Sequence, residues 1–327
     1  MHAINVSRTG EPEVLELVDV SSPDPGPGEV LVQTAAAGVN FIDTYQRRGI
    51  YPMRMPYVPG SEGAGVVVAL GEGVTNLAVG DQVAWTDAPG SYAEFVLVKA
   101  SRALRVPDGV GLDVAAALPL QGLTAHYLVT STYPVADGDT ILVHAGAGGV
   151  GLLLTQLAVA RGATVITTVS SADKERHSRA AGASEVIRYD QLSDLTAELP
   201  ALVKGFSGGG VPVVYDGVGR STFDASLASL RPRGTMVLFG ASSGPVPPFD
   251  LQRLNAGGSL FITRPSLGHY IATDDELHAR ADDLFAAVQA GTLDVRIGAR
   301  FPLADAAAAH TALEGRATTG KVVLEVS

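Results

Sequence analysis

A glycine-rich turn between two apolar runs constrains the fold of this chain more than any other feature of its sequence. Four glycines fall within Gly146–Gly151, with the spacing G-x-G-x-x-G. The match is informative only when a strand precedes it and a helix and a second strand follow. Here TILVHA (Thr140–Ala145) precedes the turn, the apolar run LLLTQLA follows it directly, and TVITTV (Thr164–Val169) comes next. The sequence therefore predicts a βαβ unit around this turn.

The spacing of the glycines suits a turn that approaches a phosphate group. Gly146 permits a sharp turn out of the strand, Gly148 leaves room for a pyrophosphate where a Cβ would stand, and Gly151 lets the helix pack closely against the strand. The free N–H groups of the first helical turn, which includes Gly149 and Val150, attract an anion. We therefore predict that these five residues bind a dinucleotide; a tight turn without a ligand is the alternative.

The residues after the second strand favour NADPH over NADH. An NAD site places an acidic residue about 20 residues after the glycine turn, at the tip of that strand. The tip here carries hydroxyl groups, including that of Ser170, and the first acid, Asp173, falls inside the following helix. Lys174 stands in the first turn of that helix, where its ammonium would attract a 2′-phosphate. We predict that Ser170 and Lys174 bind this phosphate, and that Arg176 and Arg179 are solvated helix charges.

Strand-like and helix-like runs alternate from about residue 122 onward. The strand-like runs after the first βαβ unit are Glu185–Tyr189, Val211–Asp216, Thr235–Gly240 and Ser259–Thr263. Helix-length segments separate them, so the pattern predicts further βαβ units and a buried parallel sheet. The first third of the chain instead contains short apolar or alternating runs separated by Gly and Pro, such as Glu29–Val39, which is typical of a β-barrel or sandwich.

Composition narrows the possible functions. The 327 residues carry a formal net charge of −11, and 46% of them are hydrophobic. These values favour two packed domains without a nucleic-acid or anionic-membrane partner. The absence of cysteine excludes disulfides, cysteine nucleophiles and cysteine-ligated zinc or iron–sulfur sites. The N-terminus lacks the pattern of a signal peptide, and the glycine cluster interrupts the uncharged run Thr140–Ala160, which is long enough to span a bilayer. We expect a cytoplasmic protein.

Several further segments resemble the quinone oxidoreductases of the medium-chain dehydrogenase/reductase superfamily, and most closely the zinc-free, NADPH-dependent bacterial enzymes related to zeta-crystallin. The resemblance runs from the first residues to the last. Besides the glycine turn it is carried by GVNFIDTYQRRGIYP (from Gly38), PGSEGAGVV (from Pro59), GDQVAW (from Gly80), GLTAHYLV (from Gly122), VVYDGVG (from Val213), RPSL (from Arg264) and RATTGKVVLEV (from Arg316).

The resemblance implies an α/β protein of two domains. A GroES-like, β-rich catalytic domain would comprise residues 1–121 and be completed by residues 264–327. A Rossmann domain with a doubly wound parallel sheet would comprise residues 122–263 and bind NADPH. Relatives pair as homodimers, and we expect the segment Gly257–Leu267 to supply a sheet-edge strand that pairs across the dimer axis.

The zinc ligands of related alcohol dehydrogenases are missing from this sequence. In those relatives a Cys and the His of a GHE motif hold the catalytic metal, and four Cys hold a second zinc. Here Ser61 stands in PGSEG where that His would be, and the sequence contains no cysteine. Glu62 remains, but a single carboxylate does not make a zinc site. We therefore expect no metal site and a reaction that does not depend on zinc.

Zinc-free hydride transfer from NADPH to a quinone is the activity that the resemblance implies. The substrate oxygen gains negative charge in such a step, and hydrogen-bond donors can offset that charge. The family pattern carries over to Asn40 as an amide donor and to Tyr45 and Tyr51 as ring-stacking or hydrogen-bonding groups. The spacing of this segment also fits a helical turn with a half-exposed Tyr45. We expect Asp43 and Arg48 to form a surface ion pair.

Further cofactor contacts follow from positions that match the family: Thr124, at the domain junction; Tyr189, beside the 2′-phosphate; and Lys321, in the TTGK segment. Gly240, Ser242 and Ser243 follow the fifth strand, so we expect them to face the nicotinamide side of the cofactor. For Thr124, capping of the following helix is an equally good reason. Four histidines are not spaced as a metal cluster, and we expect structural roles for His126, His144, His269 and His310.

Two alternatives to quinone reduction stay open. The same fold and cofactor would serve a 2-alkenal or enoyl reductase, in which the hydride goes to an activated C=C bond. The other alternative is a non-catalytic NADPH-binding protein that binds RNA, as some eukaryotic zeta-crystallin relatives do. The net charge of −11 and the lack of a basic stripe weigh against RNA.

Overall fold

The computed structural model describes residues 1–326, which form two compact units. The terminal unit contains Met1–Leu123, Ile271–Gly291 and the chain from Val295 onward. The central unit contains Thr124–Tyr270 and Thr292–Asp294. The chain thus begins in the terminal unit, forms the central unit and then returns.

Residues 1–326 form fifteen strands and eleven α-helices. The strands are β1 (His2–Asn5), β2 (Glu16–Asp19), β3 (Glu29–Val39), β4 (Glu62–Leu70), β5 (Gln82–Thr86), β6 (Phe95–Lys99), β7 (Leu104–Arg105), β8 (Thr140–Val143), β9 (Thr164–Val169), β10 (Glu185–Arg188), β11 (Val211–Asp216), β12 (Leu230–Leu238), β13 (Phe261–Thr263), β14 (Ile297–Pro302) and β15 (Lys321–Glu325). The helices are α1 (Phe41–Arg47), α2 (Leu112–Ala117), α3 (Pro119–Tyr127), α4 (Gly149–Val159), α5 (Ala172–Ala180), α6 (Leu195–Ser207), α7 (Phe223–Ser229), α8 (Gln252–Ala256), α9 (Leu267–Tyr270), α10 (Asp274–Gln289) and α11 (Ala306–Glu314).

The central unit is built on a six-stranded, wholly parallel sheet with the order β10-β9-β8-β11-β12-β13. The order reverses direction between β8 and β11, and ligands of open α/β sheets bind at the carboxyl ends of the strands beside such a switch point. Every residue of β11 is buried, as expected for a parallel strand whose two faces are both covered. The predicted parallel sheet is confirmed.

The glycine turn lies between β8 and α4. β8 ends at Val143 and not, as predicted, at Ala145, because Ala145 adopts a left-handed conformation (φ 54°) that is incompatible with a strand. Helix α4 begins at Gly149, immediately after its N-cap residue Gly148. The free N–H groups of the first turn of α4 therefore lie at the glycine turn.

Four other strand limits in the central unit differ from the prediction. β12 begins five residues earlier than predicted, at Leu230, because Leu230 pairs with Val211; the Arg-Pro-Arg-Gly segment that follows is irregular, and pairing resumes at Thr235. β12 ends at Leu238 and not at the predicted Gly240. β10 ends at Arg188, since Tyr189 begins a short 3₁₀ turn. β13 starts at Phe261, after Ser259, which has a left-handed backbone (φ 59°).

The terminal unit contains a seven-stranded mixed sheet with the order β14-β15-β3-β4-β5-β7, in which β6 also pairs with β3. β15 runs antiparallel to β3, with Val322 opposite Val39. β4 runs antiparallel to the other side of β3, with Gly63 opposite Ala37. This register brings the end of β3 and the starts of β4 and β15 together at one end of the sheet.

Apolar side chains form two clusters in the terminal unit. One cluster surrounds Trp85, whose indole N–H donates to Ser91 Oγ at 2.9 Å. The other packs helix α11 against β1 and β15. Within the described part of the chain, no helix is long and apolar enough to cross a membrane.

Candidate functional site

Three polar side chains meet at the end of the terminal sheet where β3 ends and β4 and β15 begin. Asn40 follows β3 directly, while Glu62 and Lys321 are the first residues of β4 and β15. All three are almost fully enclosed, with exposed fractions of 9% for Asn40, 0% for Glu62 and 2% for Lys321. Buried charged groups of this kind are stable only when they are paired and hydrogen-bonded, and here each of the three contacts the other two.

The contacts within this cluster are specific. The Lys321 ammonium donates to Asn40 Oδ1 at 2.7 Å and forms a close ion pair with Glu62 Oε1. Asn40 Nδ2 donates to Glu62 Oε1 at 3.0 Å. The second carboxylate oxygen of Glu62 accepts the backbone N–H of Leu120, in the first turn of α3, at 2.5 Å. The amide of Asn40 is therefore held on one side by a cation and on the other by a carboxylate.

A second chain of buried polar groups supports the first turn of α1. Asp43 Oδ2 accepts the backbone N–H of Asn40 at 2.8 Å and the phenol of Tyr92 at 2.9 Å. Tyr92 Oη lies 3.1 Å from His310 Nε2, and His310 Nδ1 lies 3.0 Å from the guanidinium of Arg47. Arg47 can only donate, so Nδ1 accepts, Nε2 carries the proton, and Tyr92 donates onward to Asp43.

The expected surface ion pair between Asp43 and Arg48 is wrong. Asp43 is fully buried, because it lies on the inner face of α1 and accepts the N–H of the residue that precedes the helix. Arg48 is exposed and lies 3.6 Å from Glu11 and 3.9 Å from Glu314. The structure instead buries Arg47, which forms a bidentate pair with Glu314 at 2.8 and 3.0 Å.

Burial shifts the proton affinities in this second chain. Loss of solvation raises the pKa of Asp43 to about 7, since its hydrogen bonds to Asn40 and Tyr92 only partly compensate. Loss of solvation, with the positive charge of Arg47, lowers the pKa of His310 to about 3. Burial also raises the pKa of Tyr92 well above its ordinary value. His310 is therefore neutral at pH 7, whereas Asp43 titrates close to that pH.

The predicted aromatic residues lie on α1 and just beyond it. The rings of Tyr45 and Tyr51 meet edge to face, with centroids 5.7 Å apart and an interplanar angle of 88°. Phe41 packs against Tyr45 from the preceding turn, with centroids 6.3 Å apart. Tyr51 is 42% exposed and its neighbour Ile50 is 53% exposed. The segment that follows Asn40 thus presents an apolar, partly aromatic surface, and the helical turn predicted from its spacing is present as α1.

The residues of the terminal unit do not fit a zinc site. Ser61 stands where zinc-dependent relatives place a histidine, and the sequence has no cysteine. The carboxylate of Glu62, the one remaining candidate ligand, is already engaged by Lys321, Asn40 and the Leu120 N–H. Within residues 1–326, no group of three or more His, Cys, Asp or Glu residues has the geometry to hold a metal ion.

The three glycines of the G-x-G-x-x-G spacing, in the central unit, have different surroundings. A Cβ at Gly146 would lie 2.5 Å from Thr167 Cβ, on the neighbouring strand β9, and a Cβ at Gly151 would overlap the carbonyl oxygen of Ala145. A Cβ at Gly148 would meet only that same oxygen, at 3.2 Å. Gly146 and Gly151 are therefore required by packing within the unit, whereas Gly148 leaves its outer side open for a ligand.

A buried hydrogen-bond network, which the sequence did not reveal, joins the strand ends around this turn. Asp216, at the end of β11, accepts the hydroxyl of Ser226 at 2.7 Å. Ser226 Oγ lies 2.9 Å from His144 Nε2, and His144 Nδ1 lies 2.9 Å from Thr168 Oγ1. Since Ser226 donates to Asp216, it accepts from Nε2–H, and Nδ1 accepts from Thr168. Burial lowers the pKa of His144, so its ring stays neutral and has the structural role expected for it.

The end of β9 carries the residues predicted to bind a 2′-phosphate. Ser171 caps α5 by accepting the Lys174 N–H at 3.3 Å, and Lys174 Nζ lies 3.4 Å from Ser170 Oγ. The structure thus brings Ser170 and Lys174 together beside the helix N-terminus. Arg176 pairs with Asp173, and Arg179 Nε lies 3.0 Å from Glu175 Oε1, so both have the ion pairs typical of solvated helix charges.

The other predicted cofactor residues of the central unit lie at or after strand ends. Tyr189 is half-buried directly after β10. Gly240 lies against Gly217, so closely that a Cβ would overlap the Gly217 carbonyl oxygen. Ser242 donates its backbone N–H to that oxygen at 3.2 Å, and the hydroxyl of Ser243 donates to the Val218 carbonyl at 2.8 Å.

Thr124 is buried within α3, which begins at Pro119. The alternative explanation, that Thr124 caps a helix, is therefore wrong, because an N-cap residue precedes the first turn of its helix. Lys321, the remaining predicted cofactor residue, belongs to the terminal unit and contacts Asn40 and Glu62 there.

Two family models match the chain. The model described as "Alcohol dehydrogenase GroES-like domain" matches residues 26–108, within the terminal unit. The model described as "Zinc-binding dehydrogenase" matches residues 149–277, most of which lie in the central unit. With the parallel sheet, these matches confirm the predicted fold class, a Rossmann sheet with a GroES-like domain.

Relatives of similar length match almost the whole chain. A quinone oxidoreductase of Pseudomonas aeruginosa is 46% identical, with 98% of both chains covered. A 2-haloacrylate reductase of a Burkholderia species is 40% identical, with 98% of this chain and 97% of the relative covered.

Solved structures match equally well. A mycobacterial protein complexed with NADPH has a TM-score of 0.96 and 54% identity, and the match covers 99% of this chain and 100% of that one. The quinone oxidoreductase of Escherichia coli complexed with NADPH has a TM-score of 0.96 and 41% identity, with the same coverage.

Proposed function

This chain belongs to the quinone oxidoreductase family of the medium-chain dehydrogenase/reductase superfamily, and we propose that it reduces quinones with NADPH by a hydride transfer that uses no metal ion. The observation that carries this proposal is the cluster at the end of the terminal sheet. It contains a buried ammonium, a carboxylate and an amide. The residue before this carboxylate, Ser61, stands where zinc-dependent relatives have a metal-binding histidine. The three groups of the cluster supply hydrogen bonds and charge, but no metal ligand set.

The central unit would bind NADPH through its glycine turn and the end of β9. We propose that the N–H groups of the first turn of α4, from Gly149 to Gly151, bind the pyrophosphate, with Gly146 and Gly148 shaping the turn. Ser170 and Lys174 would bind the 2′-phosphate, since their 3.4 Å contact places a hydroxyl and an ammonium side by side. The same proposal assigns further cofactor contacts to Thr124, Val150, Tyr189, Gly240, Ser242 and Ser243.

The terminal unit would orient the acceptor. Bound NADPH supplies a hydride from C4 of its nicotinamide; the quinone takes that hydride and one proton from solvent to become a hydroquinone. Asn40 Nδ2 donates a hydrogen bond to the substrate oxygen that becomes negative. The half-exposed rings of Tyr45 and Tyr51 offer faces and edges on which a planar quinone packs.

A charge-removing substitution tests the cofactor assignment. Lys174→Met should raise the Kd for NADPH about 10- to 100-fold, the range expected for loss of a charged hydrogen bond, and leave the Kd for NADH unchanged. Arg176→Met is the matched control, because Arg176 is exposed on the same helix and pairs with Asp173. Fluorescence titration of each variant with both nucleotides gives the result. An equal loss of affinity for both nucleotides would contradict a 2′-phosphate contact.

Reduction of an activated C=C bond is the second candidate function. It is favoured by the 40% identity to the 2-haloacrylate reductase, whose name describes such a substrate. The same cofactor site and the same amide donor would serve it, because charge also develops on the carboxylate or carbonyl oxygen conjugated to the double bond.

We further propose a cytoplasmic homodimer. β13 is the last strand of the central sheet, and its residue Phe261 is 61% exposed. A short apolar edge strand of this kind is well suited to pair with the same strand of a second copy. The lack of cysteine is compatible with a reducing compartment.

A further inference from the structure

We propose that Lys321 and Glu62 are positioning residues that fix the amide of Asn40 in one orientation, and that Lys321 also strengthens it as a hydrogen-bond donor to the substrate. This inference rests on the proposed function. It also assigns Lys321 a different role from the direct cofactor contact that the sequence resemblance implies. The chemistry of the ammonium, the carboxylate and the amide fixes which of their atoms can donate and which can accept hydrogen bonds.

Only one orientation of the Asn40 amide satisfies its neighbours. An ammonium can only donate, so Lys321 Nζ must face the amide oxygen, as it does at 2.7 Å. An ionised carboxylate can only accept, so Glu62 must face the amide nitrogen, as it does at 3.0 Å. A flipped amide would set donor against donor and acceptor against acceptor, which is costly in a buried site.

The contacts with Lys321 and Glu62 leave one proton of the Asn40 amide for a substrate. Asn40 Nδ2 has two protons, and Glu62 accepts one of them. The other has only a long contact, 3.4 Å to the Gly38 carbonyl, so a substrate oxygen can replace that contact at little cost. The Lys321 ammonium on Oδ1 withdraws electron density from the amide nitrogen and so strengthens its N–H groups as donors. The geometry therefore makes Asn40 a better donor than an isolated amide.

Backbone groups of two other segments surround the carboxylate of Glu62. Gly38 lies against this carboxylate so closely that a Cβ there would overlap it, and the Leu120 N–H donates to its second oxygen. A buried ion pair adds little stability compared with apolar residues of the same size. Stability alone therefore does not account for two buried charges that both contact the same amide.

A double-mutant cycle between Lys321 and Asn40 tests the inference. Lys321→Met and Asn40→Ala should each lower kcat for a quinone about 10- to 100-fold. If Lys321 acts through Asn40, kcat of the double variant should lie within about threefold of kcat of Asn40→Ala. The Lys321 substitution then has no further effect once the Asn40 amide is gone. The Kd for NADPH, from fluorescence titration, should stay within about twofold of wild type throughout. Lys99→Met, an exposed lysine of the same unit, should behave as wild type.

A second variant separates orientation from folding. Lys321→Met alone leaves Glu62 buried without its cation, which destabilises a fold strongly. The variant Lys321→Met/Glu62→Gln removes both charges, so its thermal midpoint should return to that of wild type while kcat stays low. Recovery of wild-type kcat in this variant would overturn the inference, because Lys321 would then serve only to neutralise Glu62.

The remaining outcomes are also decisive. Additive losses in the cycle, or a tenfold rise in the Kd for NADPH with unchanged kcat in Lys321→Met, would overturn the inference and leave the proposed function standing. The second of these results would establish Lys321 as a direct cofactor residue. A wild-type protein that binds NADPH but reduces no quinone would instead defeat the proposed function and, with it, this inference.

Discussion

At the scale of single residues, the two buried carboxyl groups near Asn40, those of Glu62 and Asp43, differ in the charge of the groups that contact them. Glu62 contacts the ammonium of Lys321 directly. Asp43 receives only neutral donors, from Asn40 and Tyr92, and its Oδ1 has no hydrogen-bond partner in the described part of the chain. Burial without a contacting cation raises the pKa of Asp43 to about 7. Asp43 therefore titrates close to neutral pH.

Asp43 makes the fold less stable as pH rises. The unfolded carboxyl group ionises above its ordinary pKa of 3.8, whereas the folded one keeps its proton until about pH 7. The unfolded state therefore binds fewer protons between these values, and the free energy of unfolding falls as pH rises through them. His310 acts in the opposite sense, since its pKa is lowered from 6.5 to about 3 by burial and stability from this group is lost as pH falls through that window.

Asp43→Asn should remove the Asp43 contribution and keep the shape of the side chain. We expect this variant to gain stability relative to wild type as pH rises. The difference in free energy of unfolding, variant minus wild type, should be about 2–3 kcal/mol larger at pH 8 than at pH 5. Denaturant unfolding of both proteins at the two pH values measures the difference. Asp24→Asn, at an exposed aspartate of the same unit, should show no such change. A pH-independent difference for Asp43→Asn would mean that the carboxyl group is not held protonated.

The sequence predicted some residues of the site in the terminal unit, but not which residues come together there. The resemblance pointed to Asn40, Tyr45 and Tyr51, because these lie in one continuous motif. It gave no reason to join Asn40 with Glu62 and Lys321, which are separated by 22 and 281 residues and meet only through the pairing of β3, β4 and β15. Nor did it indicate that Asp43 is buried, since an acid at the third position of a helix is a common capping residue and aspartate is mostly exposed.

At the scale of elements, different glycines of the turn serve helix packing and leave space for a ligand. Gly151 must lack a Cβ so that α4 can approach the Ala145 carbonyl, while Gly148 has space on its outer side. The sequence motif predicted both the turn and the helix start because this geometry is local. It did not predict the His144–Ser226–Asp216 network beneath the turn, since Ser226 and Asp216 come from elements about 70 to 80 residues further along the chain.

Alanine at the two glycines should separate packing from binding. Gly151→Ala should lower the free energy of unfolding by about 2–3 kcal/mol, because the new Cβ overlaps backbone. Gly148→Ala should cost less than about 1 kcal/mol, since its backbone (φ −79°) is open to any residue, yet raise the Kd for NADPH at least about tenfold.

Gly205→Ala, inside α6 with no atom near its Cβ position, is the control and should gain up to about 1 kcal/mol in stability from helix propensity. Thermal unfolding and nucleotide titration of the three variants measure both quantities. Unchanged NADPH affinity in Gly148→Ala would remove the turn from the cofactor site.

At the scale of the whole molecule, the exposed edge of the central sheet bears on assembly. β13 has only three residues and carries Phe261 toward solvent, so a second copy that pairs there would cover both its apolar side chain and its free backbone groups. The sequence placed an edge strand within Gly257–Leu267; the observed strand begins only at Phe261, because Ser259 before it has a left-handed backbone.

Phe261→Lys should convert the protein from a dimer to a monomer, because a charge at the pairing edge opposes its own copy across a two-fold axis. Light scattering at micromolar concentration should give twice the 33.6 kDa chain mass for wild type and the single chain mass for the variant. Phe206→Lys, at an exposed phenylalanine on α6, should stay dimeric. A monomeric wild type would contradict the proposed assembly.

The central claim is that this chain transfers hydride from NADPH to a quinone without a metal ion. Its most direct test is the initial rate of nicotinamide oxidation in the presence of a chelator, with NADPH and NADH in parallel, against one ortho-quinone and one 2-alkenal. We predict rapid quinone reduction that prefers NADPH and is unaffected by the chelator. Turnover of the alkenal alone would move the reaction to C=C reduction on the same cofactor. Loss of quinone turnover on chelation, or no turnover despite NADPH binding, would contradict the claim.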